Sequence, residues 1–157
     1  MSRQVPCELL AKNILAFLEE TFEKVEWTYL DGGTSLMETM AKISAEEAWR
    51  PISESGTPIA AQVGHARFYL QVLRDYMDGK WHEGIDWKGS WSRARVTEGE
   101  WDSLRKQIAE EYRNIVACIK GIDDWNDDRL LGGAMAIIVH TAYHLGAIRQ
   151  IVRVVRR

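Results

Sequence analysis

The chain has 157 residues, 46% apolar and 27% charged, which suits one globular domain spanning 1–157 around one hydrophobic core. A net charge of −3 offers no broad cationic surface, which argues against nucleic acid as a partner. Glu8 and Lys12 interrupt any leader-like apolar run, and no stretch reads as the ~20 apolar residues of a membrane span, so no membrane contact is expected.

The elements read as helices from end to end. Leu10, Ile14, Leu18, Phe22 and Val25 recur at three- and four-residue steps, predicting a first amphipathic helix over roughly residues 7 to 26. Asp31-Gly32-Gly33 breaks it. Ser35 with Glu38, and then Ser44 with Glu47, have the spacing of capping boxes that restart helix, until Pro51 ends the run. Thr57-Pro58 predicts the next start, with threonine as cap and proline in the first helical position. That helix runs to about Asp78 with a stripe of Ala61, His65, Phe68, Tyr69, Val72 and Tyr76, while Val63 and Phe68 read as plain core. Residues 79 to 96 lack a period, contain Trp81, His82, Trp87 and Trp91, and are too long for a helical hairpin. They can cross the whole molecule, so that the helices on either side run parallel. The tryptophans suit three roles: pinning the crossover, lidding a cleft, or filling a dimer interface. Pinning is favoured, because a long loop needs buried area to stay ordered. His82 reads as solvated.

Thr97 and Glu100 cap a further helix through Trp101, Leu104, Ile108, Tyr112, Ile115 and Ile119. Residues 121 to 128 read as a polar turn, with Gly132-Gly133 marking the start of a last helix over roughly 131 to 155. Arg149, Arg153, Arg156 and Arg157 crowd its end, where cations offset the helix dipole. Cys7 and Cys118 are far apart with no paired-thiol spacing, which predicts a reduced, cytoplasmic protein.

The chemistry-bearing residues are histidines. His140 and His144 stand on one helical face, about 6 Å apart along the axis. Ile137, Ala147, Ile148 and Ile151 lie on or beside that face, so both rings point inward. His65 lies in the apolar stripe of another helix. Three inward imidazoles from two helices offer three nitrogen ligands and leave coordination positions open, as catalytic rather than structural metal sites do. The plainer alternative is three core histidines bonded to carbonyls or carboxylates.

The stretch His140-Thr-Ala-Tyr-His144-Leu-Gly146-Ala-Ile-Arg-Gln150 resembles the last-helix motif of the DinB-like superfamily, with its two histidines four apart. Thr57-Pro-Ile-Ala-Ala-Gln-Val-Gly-His65 resembles the start of that family's second helix, ending in its first metal histidine. The order of the histidines and the long crossover resemble the family's as well. The resemblance implies an all-α, up-down-down-up four-helix bundle, here with the first helix broken. It also implies a homodimer and a divalent ion on His65, His140 and His144, with zinc or nickel ahead of iron or manganese. Characterised relatives include S-transferases and isomerases that use low-molecular-weight thiols, so the resemblance implies a small-molecule or thiol partner.

A metal on these residues can deliver hydroxide or hold a substrate thiolate. The expected activity is thiol S-transfer or hydrolysis of a small substrate. The alternative is a bundle that binds a metal or small ligand without turnover. By helical geometry Gln62, Tyr69 and Tyr143 are candidate substrate-binding or ring-orienting residues. Asp75 and Glu38 are conceivable bases that nothing in the sequence brings to the metal, so the catalytic residue is unassigned. Gly146, in mid-helix, calls for a close helix approach or room for a ligand.

Overall fold

The computed structural model describes residues 5–92 and 94–157. Among them are six helices and no strand: α1 (Cys7–Phe22), α2 (Leu36–Met40), α3 (Ala45–Trp49), α4 (Ile59–Met77), α5 (Glu98–Lys120) and α6 (Asp128–Val155). The chain is all-α, as the periodicity predicts.

Three expected starts are built by local chemistry. Ser35, Ser44 and Thr97 each accept from the backbone N–H three residues on, and Glu38, Glu47 and Glu100 reach back to complete the boxes. The fourth differs by one residue. Pro58 is itself the cap, extended at ψ 161°, and Thr57 lies outside the helix without a capping bond. Proline's fixed φ suits the extended region as well as the helix, so the dipeptide alone does not choose between them.

α1 also ends earlier than its apolar spacing suggests, at Phe22 rather than near residue 26. The cause is Glu20. Its fully buried carboxylate accepts from the backbone N–H groups of Glu26 (3.2 Å), Thr28 (2.7 Å), Tyr29 (2.6 Å) and Leu30 (2.6 Å). Those donors fold the chain around the carboxylate instead of continuing the helix. Val25 still reaches the core, from the loop. The Tyr29 hydroxyl contacts Thr21 Oγ1 at 2.6 Å and closes the arrangement.

α4 packs on α5 and α6, α1 packs on the same two helices, and the short α2 and α3 cover one end. The core is Leu18, Phe22, Leu36, Met40, Ile59, Val63, Leu70, Trp101, Ile108, Ile115, Ile137, Leu145 and Ile148. Phe68, expected in it, is half-buried and packs against Trp87 of the crossover. At the covered end Arg156 donates to Glu47 (2.7 Å) and to the Lys42 carbonyl, so one of the terminal arginines ties α6 to α3.

Asp127 caps α6, so the helix starts at Asp128, a turn earlier than the expected start at Gly132-Gly133. Gly133 is buried, and a Cβ there would stand 3.2 Å from the Met77 side chain, so close packing of α4 on α6 explains it. Gly146 has no such reason: a Cβ built there meets nothing within 4 Å. At 28 residues α6 is also long and apolar enough to cross a membrane by composition, contrary to expectation. One face of it packs against α4 and α1, and a helix that lends a face to a protein core passes the same test of composition.

Candidate metal centre

His65 comes from the second turn of α4, and His140 and His144 from adjacent turns of α6. The contact of these two helices brings one nitrogen of each ring within 4.8 Å of the others, a group that can hold a metal ion. His65 and His144 are buried, at 7% and 2% exposure, and His140 is half-buried. The inward orientation expected from the apolar face is the one found.

Hydrogen bonds assign the nitrogens. Ser90 donates its hydroxyl to the Trp87 carbonyl (2.6 Å), so it accepts from Nδ1–H of His65 at 2.7 Å. His144 Nδ1 lies 2.6 Å from Gln62 Oε1 and donates to it. Both rings are thereby held as the tautomer whose Nε2 carries the lone pair, the form a metal requires. His140 and His144 meet through their Nε2 atoms at 3.2 Å. Two nitrogens bound to one tetrahedral zinc at about 2.05 Å would lie about 3.3 Å apart. The spacing therefore fits one shared ion. For neutral rings alone, the same contact requires a proton between the two nitrogens. The Nδ1 of His140 is buried without a hydrogen-bond partner among the described residues.

Aromatic faces clamp the rings. Tyr69 stacks on His140 (centroids 3.6 Å apart, 10° between planes) and Trp91 on His65 (3.9 Å, 15°). Trp87 lies edge-on to His65 at 6.4 Å. This dry setting depresses basicity. Burial, together with the neighbouring His65, takes His140 down to about 4. Burial with His140 and His65 takes His144 to about 3, and burial alone lowers His65. All three rings are neutral near pH 7, with lone pairs available.

The other candidate residues divide. Gln62 orients His144, and Tyr69 lies on His140. Tyr143 is 73% exposed, its ring edge-on to His144 at 5.2 Å. Asp75 lies elsewhere, accepting from His82 (2.8 Å) and facing Arg74 (3.3 Å), so His82 is paired rather than merely solvated. Glu38 is spent in its capping box. Trp81 stacks on Tyr76, while Trp87 and Trp91 form a wall of the cluster, so the crossover both pins itself and lines the site. Ser90 was not foreseen. A serine among glycines and tryptophans has no periodic signal, and only the path of the crossover brings it to His65.

No family model, no curated protein and no solved structure matches the chain.

Proposed function

We propose that the chain is a divalent-metal enzyme of the DinB-like superfamily, an up-down-down-up four-helix bundle whose ion is held by His65, His140 and His144. The observation that carries this reading is the convergence of His140 and His144 through Nε2 at 3.2 Å while Gln62 and Ser90 hold the outer nitrogens of His144 and His65. Support for the topology comes from pairs along the helices. Gln62 meets His144 and Met77 meets Gly133, which makes α4 and α6 antiparallel. Arg74 pairs with Glu111 (3.1 Å) and Asp78 faces Cys118 (3.7 Å), which makes α4 and α5 parallel.

Bound there, zinc or nickel, or else iron or manganese, would supply a Lewis acid able to hold a thiolate or lower the pKa of water. The protein's part is to keep three neutral imidazoles aimed at one point. Gln62 and Ser90 fix the tautomers of His144 and His65, and Tyr69, Trp87 and Trp91 cover ring faces of His140 and His65. Asp75 and Glu38 are engaged elsewhere, which favours thiol S-transfer with a low-molecular-weight thiol over hydrolysis by a carboxylate base. The apolar exposed stripe of Met135, Val139 and Tyr143 on α6 suits a homodimer, and the two free cysteines suit the cytoplasm. A monomer mass by light scattering would remove the dimer.

Mass spectrometry of metal content on tag-free protein tests the centre. About one ion per chain is expected, lost in His65→Ala. A wild type that takes up neither zinc nor nickel overturns the reading. Loaded protein that consumes no thiol with any electrophile leaves a metal-binding bundle without turnover.

A further inference from the structure

A second candidate site adjoins the histidine cluster without including any of its rings. Between the first turns of α4, the crossover and the start of α5 is a cleft of about 570 Å³, well inside the usual size of small-molecule sites. No histidine lines it. Its α4 wall is reduced to Ala60, Ala61 and Gly64, which leaves the space open, while Phe68, Val96 and Leu104 provide apolar surface.

Two guanidinium groups, Arg67 and Arg95, also line this cleft, and neither is ion-paired among the described residues. Arg67 gives one hydrogen bond to the Gln71 amide oxygen (3.3 Å), and Arg95 lies over the Trp49 ring at 4.7 Å. Stacking on a ring holds a guanidinium in place and leaves its N–H edge free. The two carboxylates of the lining keep their charge, but each is turned to its own turn or cap, and neither pairs with Arg67 or Arg95 among the described residues. Asp86 accepts from the Gly89 N–H (2.7 Å), and Glu100 accepts from the Thr97 N–H (2.7 Å) and hydroxyl (2.8 Å). The cleft therefore presents free cationic donors beside apolar surface.

We propose that this cleft binds a small organic acid, with its carboxylate or phosphate held by Arg67 and Arg95 and its apolar body against Phe68, Val96 and Leu104. Arginine suits both anions, because its planar fork donates two parallel hydrogen bonds to either. The site is complete without a metal. It shares only Ser90 with the hydrogen-bonded surroundings of the histidines.

Calorimetric titration of the full chain, kept metal-free with a chelator, tests this apart from the metal reading. The probes are benzoate, phenyl phosphate and the neutral benzyl alcohol. At least one acid is expected to bind about tenfold or more tighter than the alcohol, since a charge-assisted bidentate contact is worth at least that factor. Benzoate alone would identify a carboxylate site, and phenyl phosphate alone a phosphate site. Arg67→Met and Arg95→Met, each helical by circular dichroism, should lose the preference. Equal binding of all three probes by the wild type overturns the proposal. So does undiminished acid binding by the double variant.

Discussion

Two buried polar clusters in this molecule stand in opposite conditions. Around Glu20, one carboxylate meets four backbone N–H groups, and every group within reach is satisfied. Around His65, three neutral rings bring one nitrogen each within 4.8 Å, His140 and His144 meet across a single proton, and the outer nitrogen of His140 has no partner among the described residues. A satisfied cluster does structural work: it ends a helix and fixes a loop. A cluster whose own groups cannot satisfy one another costs stability unless a cation joins it, and such sites are where function is found.

The largest effect should come from completing the histidine cluster. Zinc or nickel at a thousand times its dissociation constant should stabilise the wild type by about 4 kcal/mol, seen as a raised melting temperature. His140→Ala should abolish the rise. If the mutant rises equally, the ion sits elsewhere and the comparison fails.

Next is the Glu20 cluster. Glu20→Ala leaves the four amides without their acceptor and should cost about 2–4 kcal/mol in chemical denaturation, with or without metal. A loss below roughly 0.5 kcal/mol would mean that the loop does not depend on the carboxylate.

Acid should separate the two clusters. Burial alone would raise the Glu20 carboxyl, but the backbone donors of Leu30, Tyr29 and Thr28 hold it at about 2, below its ordinary 4.5. Its contribution is therefore whole above pH 4.5 and lost as the pH falls toward 2. The metal-free histidines act earlier. His144 and His140 sit near 3 and 4 instead of 6.5, so unfolded chains bind protons first and stability falls from pH 6.5 downward. Glu47, held at about 2 by its hydrogen bond from Arg156, shares the Glu20 window. The comparison of Glu20→Gln with wild type isolates the loop, and a profile flat between pH 6.5 and 4.5 would contradict buried neutral imidazoles.

Smaller effects sharpen the roles of the orienting residues. Gln62→Ala and Ser90→Ala should each weaken metal binding by about tenfold, since they release the outer nitrogens of His144 and His65. Unchanged affinity in competition titrations would reduce both to packing. The smallest expected change is a gain. Gly146→Ala should stabilise by up to about 1 kcal/mol, because the site is helical and its Cβ would meet nothing.

Much of this was legible in the residues themselves. The all-helical class follows from three- and four-residue periodicity, and the boxes at Ser35, Ser44 and Thr97 follow from side chains meeting backbone three residues away. The pairing of His140 with His144 follows from the pitch of one helix. Local rules failed where a partner lay farther along the chain. The end of α1 depended on amides up to ten residues past Glu20, and Gly133 on a methionine from α4.

The sequence by itself therefore determined the class of fold, most helix starts and the identity of three inward histidines, because these depend on interactions within a turn or two. Only the tertiary structure decided that the crossover brings Ser90 to His65 and that Gln62, of the candidates for orienting a ring, bonds to His144. It alone took Asp75 to His82, opened a cleft beside Arg67 and Arg95, and made Glu20 a buried hub. Those outcomes depend on how helices and the crossover come together, and residue spacing along one element carries no information about that.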